Sequence, residues 1–99
     1  MPVSLTSRER SALKARAHAL EPVVQVGHAG VTDKVVAEID RALLAHELIK
    51  VRVDARDRFA RAEMCDIICA RCDAAEVLRV GKVLGLWRPR PDDGPVTAG

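Results

Sequence analysis

Between Val23 and Val53 the chain changes its apolar rhythm twice, and this change limits the folds open to it more than any other feature. Val23-Val24-Gln25-Val26 is short and β-branched, as a buried strand requires. Gly27-His28-Ala29-Gly30 interrupts it. Thr32 then stands where a helix needs an N-cap, with Asp33 in the first turn. Val35, Val36, Ile39 and Leu43 lay one apolar stripe along a helix that should end near His46. From Leu48 to Val53 the period returns to two, with Ile49, Val51 and Val53 on one face and Lys50 and Arg52 on the other. Strand, helix and strand in this order predict a right-handed parallel crossover.

The flanking segments extend the pattern. Thr6-Ser7-Arg8-Glu9 has the form of a capping box, in which the Thr6 hydroxyl accepts from the Glu9 amide and the Glu9 carboxylate reaches back. Leu13, Ala17 and Leu20 recur at helical spacing behind it, so a first helix is expected from Ser7 to Leu20, stopped by Pro22. A third helix is expected from Asp57 to Cys72, carrying Phe59, Ile67, Ile68 and the cysteines. Glu76–Val80 and Val83–Trp87 flank Gly81-Lys82, a two-residue link suited to a tight hairpin. Gly85 inside the last strand points to a bulge or close packing. The order αβαβαββ predicts an α+β fold of helices layered on a mixed four-stranded sheet. A chain of 99 residues supports one such domain, expected over residues 1–88. Residues 89–99 lack apolar periodicity and are expected to form a disordered tail.

Composition narrows the function. One Phe, one Trp and no Tyr cannot build the platform of exposed aromatics on which single-stranded RNA modules stack bases. Phe59 and Trp87 are expected in the core. A net charge of +2 proves no polyanionic partner by itself; only a local concentration of cations would. No basic-then-apolar export signal opens the sequence, and no apolar run of about 18 residues exists to span a membrane. Three cysteines crowded into one short segment do not form a secreted disulfide framework. A cytoplasmic location is therefore expected.

Several chemical motifs dissolve on inspection. Cys65, Cys69 and Cys72 match C-x-x-x-C-x-x-C, a spacing used for iron–sulfur clusters. On a helix, however, i, i+4 and i+7 place all three thiols on one face beside Ile68, where cysteine acts as a small hydrophobe. His18 and His46 do not share a compact zinc spacing with them and fall near helix ends. Neither Ser7 nor Ser11 lies in a strand-to-helix elbow, and Asp92-Asp93 falls in the tail. The expectation is a protein with no catalytic residues, no metal, no cofactor and no small-molecule substrate. The competing reading is a small metal or redox protein built on the cysteines.

The Gly27-His28-Ala29-Gly30 loop carries the positive case. Glycine adopts positive φ cheaply and lets another backbone approach. The helix beginning two residues later aims free amides and its positive dipole end at the same region. A G-x-x-G loop that clamps a few nucleotides by their backbone is the device of KH domains. Around it lie Arg8, Arg10, Lys14 and Arg16 on the first helix, Lys34 in the first turn of the second, and Lys50 and Arg52 on the second strand. Lysine and arginine contacts to phosphate supply most non-specific affinity for nucleic acid.

Several stretches also resemble the YhbY group of bacterial proteins, which are stand-alone CRM domains. These are Leu5-Thr6-Ser7 with the basic helix, Ala17 through Gly27, Ala45 through Val51, and Gly81-Lys82-Val83-Leu84-Gly85-Leu86-Trp87-Arg88-Pro89. The resemblance implies a fold akin to the C-terminal domain of a bacterial translation initiation factor. It implies RNA binding through the loop and an adjoining basic surface, with large-subunit ribosomal precursors as the bacterial partner and group II intron splicing as the role of plant relatives. A KH-like module for another structured RNA is the alternative. The chain departs from the family at the loop centre, where His28 and Ala29 replace the basic residue common there. Imidazole titrates near pH 6.5, so a phosphate beside His28 would favour its charged form and tighten the grip below neutral pH.

Overall fold

Each helix begins on a side chain that captures an otherwise orphaned amide. A computed structural model describes residues 5–89, within which α1 spans Ser7–Ala17, α2 Asp33–His46 and α3 Arg58–Cys72. The capping box at α1 is present in both directions: Glu9 N–H donates to Thr6 Oγ1 at 3.1 Å, and Thr6 N–H to Glu9 Oε1 at 2.9 Å. Thr32 Oγ1 accepts from Val35 N–H at 3.2 Å, and Asp57 Oδ1 from Ala60 N–H at 2.8 Å. The four strands are β1 (Pro22–Val26), β2 (Leu48–Val53), β3 (Ala75–Val80) and β4 (Val83–Trp87). The tail expected over residues 89–99 lies, beyond Pro89, outside the described residues.

The strands pair in the order β1-β2-β4-β3, with β1 parallel to β2 and β4 antiparallel to both of its neighbours. The expected parallel crossover therefore joins adjacent strands, while β4 inserts between β2 and β3. Gly85 explains the close fit of that insertion. A Cβ there would stand 2.9 Å from Leu78 Cγ, and the β3 register shifts between Glu76 and Leu78 opposite it.

The period-two pattern of β2 divides the core. Ile49, Val51 and Val53 join Val24, Val26, Ile39, Leu43, Ile68, Leu84 and Leu86 beneath α2 and α3. Leu48, facing the other way, joins Leu13, Ala17, Val77 and Leu78 beneath α1, with Trp87 packed against them. Helices thus cover one face of the sheet fully and the other only in part. Lys50 and Arg52 lie on the partly covered face, Lys50 half-buried and Arg52 exposed.

Two expectations need correction. The first helix stops at Ala17, not Leu20, because Ala19 N–H turns to Arg16 O and Leu20 N–H to Ala17 O. These tighter turns redirect the chain into β1 and leave Leu20 exposed rather than on the buried stripe. Phe59 is not a core anchor: it is 81% exposed at the second position of α3, which packs inward through Met64, Cys65, Ile68 and Cys72 instead. Cys65 and Cys72, by contrast, are buried in the main core, with Cys69 packed against it. No helix among the described residues is long and apolar enough to cross a membrane.

Candidate nucleic-acid interface

Strand directions gather three connections at one end of the sheet. With β1 and β2 parallel and β4 antiparallel to β2 and β3, the segments after β1, after β2 and between β3 and β4 all emerge together. Backbone bonds lock them: Asp54 N–H donates to Val26 O at 2.8 Å and Val53 N–H to Lys82 O at 2.7 Å. Lys82 Nζ lies 3.5 Å from Asp54 Oδ1. In open sheets with parallel strands, the crevice beyond the carboxyl ends of the strands is where ligands bind.

The loop itself is a closed turn. Gly30 N–H donates to Gly27 O at 3.0 Å and Thr32 N–H to Gly30 O at 3.1 Å. Gly30 has φ +84°, a conformation that disfavours any residue with a Cβ. Gly27 carries no such constraint, and a Cβ on it would meet no atom within 4 Å. Its glycine is required neither by the backbone nor by packing, so what it offers is room on the outer side. His28 and Ala29 are exposed at the tip. Gly27 and His28 form one wall of a cleft of about 310 Å³, and Asp54, Ala55, Arg56, Ala60 and Met64 complete it.

The first amides of α2, those of Asp33 and Lys34, have no carbonyl one turn back and open towards this end. Asp33 would compete there with an incoming anion, but Arg71 Nη2 engages its carboxylate at 2.8 Å. Lys34 is exposed beside it.

The other expected cations divide into two groups. Arg52 sits in register with Gln25, two residues before Gly27, and thereby links the loop to the open sheet face. Lys50 follows on the same face and shares a shallow hollow with His18, Leu78, Val80 and Val83. Arg16, on the last turn of α1, lines an apolar hollow of about 370 Å³ with Leu20, Val23, His46 and Leu48, at the end of the sheet away from the glycine turn. Arg8 and Arg10 lie apart. The Arg10 guanidinium donates to the Glu76 carbonyl on β3, the edge strand opposite β1. Three strand spacings, about 14 Å, separate those edges. Among the described residues Arg8, Lys14, Arg16, Lys34, Lys50 and Arg52 form no ion pair.

Arg56 was not among the expected cations, although its place just after an expected strand marks it as a strand-end residue. Its guanidinium is exposed, 3.9 Å from Asp57. Arg58 and Arg61, also overlooked, follow on α3.

The cysteines offer a metal little. Burial pushes the Cys69 thiol up to about 11, helped by the nearby Glu76 carboxylate, and burial likewise raises Cys65 and Cys72. Metal ligation needs thiolates, which this environment disfavours. Among the described residues no three His, Cys, Asp or Glu side chains are grouped to hold a metal ion.

A small α+β module of this topology, with a glycine turn over a strand-end cleft and a half-open sheet face, defines a class of compact binding domains. The chain belongs to the CRS1/YhbY (CRM) domain family, whose model matches residues 5–88. It is 42% identical over 86 residues to a Haemophilus influenzae protein named RNA-binding protein, covering 87% of each chain. It is 36% identical over 89 residues to a Pseudomonas aeruginosa protein named a probable RNA-binding protein, covering 90% of this chain and 86% of the relative. A Staphylococcus aureus protein solved in solution shares the fold, with TM-score 0.79 at 24% identity over 91% of this chain and 94% of the other.

Proposed function

We propose that this chain is a non-catalytic RNA-binding module that engages precursor large-subunit ribosomal RNA during ribosome assembly in the cytoplasm. The Gly27-His28-Ala29-Gly30 turn, with Lys34 and Arg56, holds the phosphodiester backbone at the sheet end. Arg52, Lys50, Lys14 and Arg16 continue the contact across the open face. Arg8 and Arg10 reach RNA only if it wraps to the β3 edge. The observation that carries this reading is Gly27, a glycine that neither φ nor packing demands, facing a cleft that Arg56 and His28 also line. The names of the bacterial relatives supply RNA as the polyanion. Ribosomal specificity rests on the resemblance of the whole chain to the YhbY group.

The experiment is crosslinking in living cells and sequencing of the copurified RNA, with Gly27→Asp as control. Enrichment of one region of large-subunit ribosomal RNA, including precursor ends, and its loss in the variant is the expected result. Enrichment of other transcripts would move the protein to another structured RNA. No enrichment above an untagged control would overturn the reading.

A further inference from the structure

We propose that Phe59 is a stacking post for one unpaired base of the RNA held at the Gly27–Gly30 cleft, an inference that rests on the RNA-binding reading above. The chain has one Phe and one Trp, and it treats them in opposite ways. Trp87 packs against the core beneath α1, whereas Phe59 is left 81% exposed in the first turn of α3. Burying such a ring would gain about 1.5–3 kcal/mol. The fold forgoes that gain beside its own binding cleft: Ala60, the next residue, lines the cleft with Gly27, His28 and Arg56. Phe59 is thus one residue removed in the chain from the lining of that cleft.

The neighbours of Phe59 fit a nucleotide better than a protein. Arg58 precedes it in the first turn of α3 and forms no ion pair among the described residues, and Arg56, 3.9 Å from Asp57, stands just before the helix. The acidic groups are Asp57, which holds the Ala60 amide, and Glu63 one turn along the helix. A protein-docking surface needs a contiguous apolar patch. The next exposed apolar residue on this stripe is Ile67, eight positions on and therefore about 12 Å away along the helix. One isolated exposed ring at the arginine-bearing start of α3 instead matches a single base, since every base has a π-face and stacking tolerates any sequence. A single post differs from a platform: it holds one splayed-out base and leaves the remaining affinity to phosphate contacts.

The test uses a short single-stranded RNA carrying 2-aminopurine and a blunt RNA duplex. Both are titrated with wild type, Phe59→Ala, Phe59→Trp and Gly27→Asp. The expected outcome is single-strand binding weakened by about 5- to 100-fold in Phe59→Ala, with loss of the 2-aminopurine quench. Duplex binding and the melting temperature should stay at wild-type values, and Phe59→Trp should retain both affinity and quench. Unchanged single-strand affinity in Phe59→Ala, with Gly27→Asp still weakened, overturns the stacking role and leaves the RNA reading standing. Equal losses on strand and duplex also overturn it, as does a wild-type self-association that Phe59→Ala abolishes without touching RNA affinity. If wild type binds neither RNA, the RNA reading itself falls.

Discussion

At the scale of single residues, chemistry here follows exposure. His28 stands at the tip of the glycine turn, where an approaching phosphate would hold its imidazolium form. A charged imidazole meets a phosphate more favourably than a neutral one, so affinity should rise as pH falls if His28 makes that contact. Wild type is expected to bind RNA more tightly at pH 6 than at pH 8, while His28→Gln shows the same affinity at both. A flat wild-type profile would remove His28 from the contact. The cysteines sit at the opposite extreme. Cys69 is held neutral up to about 11 against an ordinary 9.0, so the folded state keeps a proton that the unfolded state releases. Stability contributed by this group is complete below about pH 9 and is lost as pH rises through 11. The melting temperature should therefore drop between pH 8.5 and pH 10.5, and less so in Cys69→Ala. Identical pH profiles for the two proteins would show that Cys69 does not supply the drop.

At the scale of elements, each helix start follows from one side chain, and the β3–β4 hairpin from one glycine contact. Thr6, Thr32 and Asp57 each take an amide three residues on. The end of α3 is set differently: Asp73 adopts a left-handed conformation, φ 53° and ψ 47°, and its N–H donates to Cys69 O. Gly85 has an extended backbone and is glycine for room alone. A methyl group there would press on Leu78 Cγ, close to the β3 backbone and not at the free end of a flexible chain. Gly85→Ala should destabilise the domain by about 1–3 kcal/mol, read by urea denaturation, the cost of overpacking a filled core. Pairing it with Leu78→Ala should recover part of that loss relative to Leu78→Ala alone. If Gly85→Ala denatures at the wild-type midpoint, the contact is not the reason for the glycine.

Across the whole molecule, some arginines tie elements of the fold together while other cations among the described residues are left free. Arg88 closes the end of the sheet away from the glycine turn. Its Nη1 donates to Asp40 Oδ1 at 2.6 Å and to Cys72 O at 2.7 Å, and its backbone N–H to Glu47 O at 3.0 Å, joining β4 to both covering helices. The side chain is 18% exposed, so this arginine is a fold residue rather than a free cation. Arg71 and Arg79 are likewise engaged by carboxylates. Among the described residues, the cations without an ion-pair partner include Lys34 at the start of α2, Lys50 and Arg52 on the half-open face, and Arg8, Lys14 and Arg16 on α1. A surface that works by displacing counterions has a salt signature. With about five phosphate contacts, affinity for single-stranded RNA should fall roughly a hundredfold between 50 mM and 200 mM salt, with weak dependence on sequence. A salt-independent affinity measured by titration would mean that contacts other than charge hold the RNA.

What the sequence determined by itself is the set of elements, because each arises from local chemistry. The caps, the switches between period two and period 3.6, and the two-residue turn at Gly81-Lys82 sufficed for the order αβαβαββ and for the facing of β2. The stripe of Cys65, Ile68 and Cys72 was also legible, since helical spacing alone puts these residues on one side. Tertiary structure decided what depends on neighbours distant in the chain. Nothing in Leu13, Ala17 and Leu20 shows that the helix unwinds before Leu20, because the demand comes from the path into β1. Hydrophobicity alone sends Phe59 inward, yet α3 docks through Met64, Cys65, Ile68 and Cys72 and turns Phe59 out. Charge counting placed Arg10 with the glycine turn, but the strand order puts it on the opposite edge and leaves Arg56 at the cleft. Local propensity reads along the chain, whereas the binding surface depends on which strand ends the sheet brings together, and only the long-range pairing of β1, β2, β4 and β3 specifies that.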